Sequence, residues 1–147
     1  MKAHLNAFQA APQAMQALLT LSDFVERSGL DHALLELVKI RASQINGCAF
    51  CLHMHTRDAR KMGETEERLN LLSAWRESSY YSERERAALG WTEALTLLDG
   101  KPVPDTEYAA MAAHFSPEEQ VQLSLAITVI NAWNRMNVGF RTPHPAK

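Results

Sequence analysis

Glu36–Gly63 reads ELVKIRASQINGCAFCLHMHTRDARKMG, and its spacing sets the architecture expected for the chain. Leu34, Leu35, Val38, Ala42 and Ile45 recur at helical intervals and form one apolar stripe. Asp31 stands just before them, where a side-chain oxygen can accept a free backbone N–H. Asn46 and Gly47 both tolerate a left-handed backbone, so they close this helix. A further helix is expected from about Cys48 to Met62, stopping at Gly63. The stretch therefore reads as two successive helices joined at Asn46-Gly47.

The helical period continues on both sides of these two helices, and strand signals are almost absent. Upstream, Pro12 opens a helix to about Arg27, with Met15, Leu18, Leu19 and Phe24 expected inward. Downstream, Thr65 opens another with Leu69, Leu72 and Trp75 spaced for burial. Ser82 and Glu85 form a capping box for a helix reaching about Leu98. Asp99–Pro104 breaks the chain, and Asp105–His114 reads as a short helix. Ser116, Pro117 and Glu119 start the last helix, which carries Val121, Leu125, Ile130 and Trp133. The tail beyond Gly139, with Pro143 and Pro145, is expected to be irregular. No repeat or interdomain linker is visible, so residues 1–147 read as a single all-α domain.

Composition narrows the function. Hydrophobic residues make up 46% of 147 and charged residues 22%, which suits a folded core. The formal net charge is −2, and no Lys/Arg cluster marks a nucleic-acid surface. The nearest candidate, Arg57–Lys61, also carries Asp58 and reads as a solvated helix face. Within Met1–Leu30 the residues Gln9, Gln13 and Gln16 interrupt any secretory-type apolar run, and Ala14–Leu21 is too short and polar to span a bilayer. The expected location is the reducing cytoplasm, where a close cysteine pair is more often catalytic or metal-binding than a static staple.

Both cysteines lie in one Cys-x-x-Cys, Cys48-Ala49-Phe50-Cys51, and His55 follows Cys51 by four residues. At ~100° per residue, Cys48, Cys51 and His55 share an arc of about 60° on a helix. Cys51 and His55, at i and i+4, can touch. A helix N-terminus also favours an anion, so a thiol here can lose its proton near neutral pH. The dipole alone favours Cys48 as the reactive thiolate, whereas proximity to an acid/base partner favours Cys51. Zinc is the rival use of Cys48, Cys51, His53 and His55, but His53 projects about 160° away from Cys51 on the same helix. Glu36 sits among apolar residues and has two readings: an ion pair with Lys39 at i+3, or a carboxylate buried for a chemical reason.

The pattern of Glu36, eleven residues, Cys48-x-x-Cys51, three residues and His55 resembles the core motif of the alkylhydroperoxidase D family, within the carboxymuconolactone decarboxylase-like group. The resemblance implies an all-α helical bundle that assembles as a trimer or hexamer. It implies a thiol-dependent reductase of hydroperoxides with no bound cofactor or metal, serving antioxidant defence. Cys51 would attack, Cys48 would resolve, and His55 with Glu36 would relay protons, partly through water. An external dithiol, in some members borne on a lipoylated protein, would restore the thiols. The decarboxylase branch lacks the cysteine pair, so decarboxylation is not expected. Some members place a histidine between the cysteines where this chain has Phe50, and longer members duplicate the core. A thiol–disulfide reductase or redox sensor without peroxide turnover, and a zinc-holding helical oligomer, are the competing classes.

Overall fold

A computed structural model describes residues 2–145; Met1 and residues 146–147, which the expected domain and tail also include, lie outside the described residues. Regular structure among the described residues is entirely helical. The helices are α1 (Ala7–Ala10), α2 (Pro12–Glu26), α3 (His32–Asn46), α4 (Ala49–Lys61), α5 (Glu66–Leu71), α6 (Glu83–Thr96), α7 (Asp105–His114) and α8 (Pro117–Phe140). A 3₁₀ segment, Leu72–Glu77, follows α5 directly and kinks at Ala74, so Leu72 and Trp75 are buried on a different helix type from the one expected. None of these helices is long and apolar enough to cross a membrane.

The caps explain the boundaries. Asp31 accepts the N–H of Leu34 at 3.0 Å and starts α3. Ser82/Glu85 and Ser116/Glu119 form the expected reciprocal capping boxes, and Pro117 fills the first turn of α8. The basic run on α4 is a solvated face: Lys61 pairs with Asp58 at 3.0 Å, and Arg60 pairs with Glu66 beyond the helix.

Helix α3 is the axis of the bundle, packed against α4, α6 and α8. Every residue from Leu34 to Ile40 is buried. One side, Leu34, Leu35 and Val38, joins Trp91, Met111, Leu123 and Ile127 in the larger core. The other, Leu37 and Ile40, joins Leu69, Leu72, Trp75 and Leu89. An apolar stripe therefore understated this helix, which is enclosed all round. Each fully buried Leu or Ile stabilises by roughly 1.5–3 kcal/mol through removal from water. The same enclosure places Glu36 and Lys39 where their charges are tolerable only when paired.

Two expected core residues face outward. Phe24 is 55% exposed and Val25 is buried in its place. Nine steps of ~100° put Phe24 opposite Met15, the buried residue near the start of α2. Val121 is 68% exposed while Leu123 is buried, because the inward stripe of α8 runs Leu123, Ala126, Ile127, Ile130. Short helix α1 escaped the sequence reading; its Asn6 cap accepts the N–H of Gln9 at 3.1 Å. Phe8 on α1 stacks on Trp133 of α8, with ring centroids 6.3 Å apart.

Candidate active site

Gly47 ends α3 in the left-handed region, with φ 65°, and so aims the chain back along the bundle. Cys48 follows with an extended backbone, and its sulfur accepts the N–H of Cys51 at 3.3 Å. Cys48 is thus the N-cap of α4, a position usually filled by an oxygen-bearing side chain. This keeps its thiol folded over the first turn, beside Cys51. Both thiols are free and buried.

A polar ladder on α8 holds that turn in place. Asn46 Nδ2 donates to Asn131 Oδ1 at 3.0 Å and to Asn134 Oδ1 at 2.9 Å. Asn134 Nδ2 donates to Ser43 Oγ at 2.9 Å, and Asn137 Nδ2 reaches Cys51 Sγ at 3.5 Å. Asn131, Asn134 and Asn137 recur every three residues along α8. That recurrence was the available sequence signal for these residues, which the motif reading passed over. Asn134→Leu is expected to cost about 1–3 kcal/mol, because it strands the Ser43 and Asn46 partners in a dry site. Urea melts of the variant and wild type measure this.

Glu36 and His55 meet across α3 and α4. Glu36 Oε2 accepts from His55 Nδ1 at 2.8 Å, and Glu36 Oε1 accepts from Lys39 Nζ at 3.0 Å. Lys39 also pairs with Glu26 of α2. The two readings of Glu36 are therefore compatible: one oxygen serves the ion pair and the other the imidazole. Burial works to raise the Glu36 carboxyl, but the hydrogen bond and charge of His55, then Lys39, outweigh it and hold it below the usual value. An ionised carboxylate only accepts, so His55 carries its proton on Nδ1 toward Glu36, which leaves Nε2 for the site. The Glu36–Lys39 pair is the one expected at i+3, whereas Glu26 was not foreseen as a neighbour, since its approach depends on how α2 packs.

Cys51 and His55 both line a cavity of about 310 Å³, walled mainly by apolar side chains including Val25, Phe50, Val129, Ile130 and Trp133. Among the described residues no hydrogen bond joins His55 to either sulfur, and Cys51 and His55 share access to this cavity. Cys48 does not line it, and opens instead toward the chain after α8. The Cys51 thiol is lowered from 9.0 to about 6 by the adjacent Cys48 thiol first, against burial, with help from Asn134, Asn137 and the charge of His55. Cys48 is pushed up, since it donates to Cys51 and is buried. The dipole expectation for Cys48 is thereby outweighed by the surroundings of Cys51. His53 is engaged elsewhere, its ring stacked 5.4 Å from that of His144. No group of three or more His, Cys, Asp or Glu side chains that could hold a metal ion occurs among the described residues.

The model of the carboxymuconolactone decarboxylase family matches residues 9–94, a span that contains Glu36, both cysteines and His55. The chain belongs to this family. An uncharacterized Bacillus subtilis protein, YdfG, is 44% identical over 94% of each chain. A crystal structure from Agrobacterium tumefaciens, of a protein of unknown function suggested to be the antioxidant defence protein AhpD, is 46% identical. It superposes with a TM-score of 0.96 over 99% of this chain and 100% of that one. The debrominase Bmp8, at 18% identity, shares the fold with a TM-score of 0.84 over 95% of this chain and 75% of its own. The family fold thus extends from α3 and α4 to the whole helical bundle.

Proposed function

We propose that this protein is a thiol-dependent hydroperoxide reductase in which Cys51 attacks, Cys48 resolves, and His55 with Glu36 moves the protons. The observation that carries this reading is the opening of Cys51 and His55 into one apolar cavity, with Glu36 hydrogen-bonded behind the imidazole. Cys51 gives up its proton to His55, whose charge Glu36 balances. The thiolate attacks one peroxide oxygen, the O–O bond breaks, and the leaving alkoxide takes a proton from His55. Water can bridge the sulfur and the imidazole in this step. Cys51 is then a sulfenic acid. The Cys48 thiol condenses with it, forming the disulfide and releasing water. An external dithiol in the cytoplasm returns two electrons and two protons.

Peroxide consumption with dihydrolipoamide as reductant tests the reading. Turnover of an organic hydroperoxide is expected. Reduction of a disulfide substrate with no peroxide consumption would assign the same pair to a plain thiol–disulfide reductase.

The thiol pair also carries a pH signature. Cys51 should become alkylatable as pH rises through about 6, while Cys48 stays protonated well above neutrality. Iodoacetamide labelling across pH, read by peptide mass, should place all early label on Cys51. Early label on Cys48 would reverse the two roles.

Assembly is part of the proposal. Leu97, Leu98, Tyr108 and Val121 are all more than half exposed, an unusual amount of large apolar surface for a small chain. A homotrimer or homohexamer would cover such surface. Sedimentation at micromolar concentration should show the oligomer; a monodisperse monomer would remove this part of the proposal.

A further inference from the structure

The two cysteines line different spaces. Cys51 lines the apolar cavity. Cys48 lines a separate groove of about 450 Å³ formed with Gly47, Ala49, Val138, Arg141 and His144. Phe50 and Asn137 line both spaces and so form the wall between them. Glu26 and its ion-pair partner Lys39 both line the cavity, whereas no carboxylate lines the groove among the described residues. Its charged lining group is the Arg141 guanidinium, with the His144 imidazole beside it.

Arg141 is also the one non-glycine residue with positive φ among the described residues, at 53°. It occupies the left-handed position that ends α8, where glycine is the usual residue. A guanidinium is thus carried at a backbone position that disfavours any side chain.

We propose that this groove is the reductant site, where a small dithiol bearing a carboxylate docks on Arg141 and attacks the oxidised pair at Cys48. The inference rests on the peroxidase or reductase cycle above, in which a Cys48–Cys51 disulfide must be reopened. Exchange requires the attacking, central and leaving sulfurs to lie nearly in line. A thiolate reaching Cys48 from the groove comes from a space that Cys51 does not line, and Cys51 is the sulfur then expelled. The reductant's sulfur bonds to Cys48 Sγ, the Cys48–Cys51 bond breaks, and Cys51 departs as a thiolate. Asn134, Asn137 and the charge of His55 favour the Cys51 thiolate as it leaves, and the more acidic thiol is the better leaving group. The second thiol of the reductant then attacks its own partner sulfur. It closes a cyclic disulfide and releases Cys48, which regains a proton. Oxidant and reductant would thus use separate doors, and the apolar cavity would stay free for peroxide.

The disulfide form for the test is made with diamide, so the outcome does not depend on peroxide reactivity. Oxidised full-length protein is mixed with 2-mercaptoethanesulfonate, quenched with iodoacetamide within milliseconds to seconds, and mapped by tandem mass spectrometry. The expected product carries the sulfonate thiol on Cys48 and the alkyl group on Cys51. The reverse pattern, or an even split, overturns the proposal. A second measurement compares dihydrolipoate with dihydrolipoamide, which share one dithiol and differ in charge. Wild type should be reduced faster by the acid, by about fivefold, the scale of one exposed charge pair. Arg141→Gly suits the left-handed backbone and so keeps the fold while removing the cation. It should abolish the preference and leave reduction by the amide unchanged. Equal rates with both reductants in wild type, or a preference that survives Arg141→Gly, would show that the groove does not select an anionic dithiol.

Discussion

Cys51→Ser should abolish peroxide turnover, because a serine hydroxyl is not ionised at neutral pH and cannot form the sulfenic acid. The loss should reach the background rate of the reductant alone. Cys48→Ser should behave differently. Serine is a preferred N-cap, so this variant keeps and strengthens the start of α4 where Cys48 now accepts the N–H of Cys51. Folding is therefore not at issue, and the effect reads on chemistry. One equivalent of peroxide should be consumed, and Cys51 should persist as a sulfenic acid that dimedone labels. Mass spectrometry locates the label. A label on Cys48 in the Cys51→Ser protein would show that the N-cap thiol, favoured by the helix dipole, is the attacking one. In wild type the same peroxide equivalent should remove two hydrogens by mass as the disulfide forms.

His55→Phe and Glu36→Gln should each slow peroxide reduction, by about 10²–10⁴-fold for the imidazole. Phenylalanine suits the cavity wall but removes both the base for Cys51 and the acid for the leaving alkoxide. Glutamine keeps the size of Glu36 and can still accept from His55 Nδ1 at the present 2.8 Å. It cannot balance a charged imidazole, so its loss should be smaller than that of His55→Phe. It also leaves buried Lys39 with Glu26 as its remaining carboxylate partner, which predicts some loss of stability as well. The pH profile separates these effects. If Glu36→Gln retained full rate at every pH and lost only thermal stability, Glu36 would be an ion-pair residue for Lys39 and no part of the relay.

Much of the fold could be read from residues whose constraints are local. Caps at Asp31, Thr65, Ser82 and Ser116, the left-handed Gly47 and the proline at the start of α8 act within one helical turn. Their positions gave helix ends close to those observed, as did the Asp105–His114 helix. The expectation faltered where two faces of a helix were similarly apolar. On α2 and α8, Phe24 and Val121 were as hydrophobic as the residues that are buried, and only the neighbouring helices select between them.

The candidate site divides in the same way. Cys51 and His55 lie one turn apart on α4, so spacing alone placed them on one face, whereas Cys48 is the N-cap with an extended backbone and lines a different space. Glu36 lies on another helix, and its 2.8 Å approach to His55 depends on the packing of α3 against α4. The pairing of Lys39 with both Glu36 and Glu26 needs α2 as well. The asparagines of α8 approach the cysteine turn from more than 80 residues away in sequence. Chain-local hydrogen bonds and periodicity thus determined the helices and the order of the reactive groups along them. Tertiary packing decided which thiol faces the apolar cavity, which faces the Arg141 groove, and which buried charges meet, because those relations join groups that no single helix holds together.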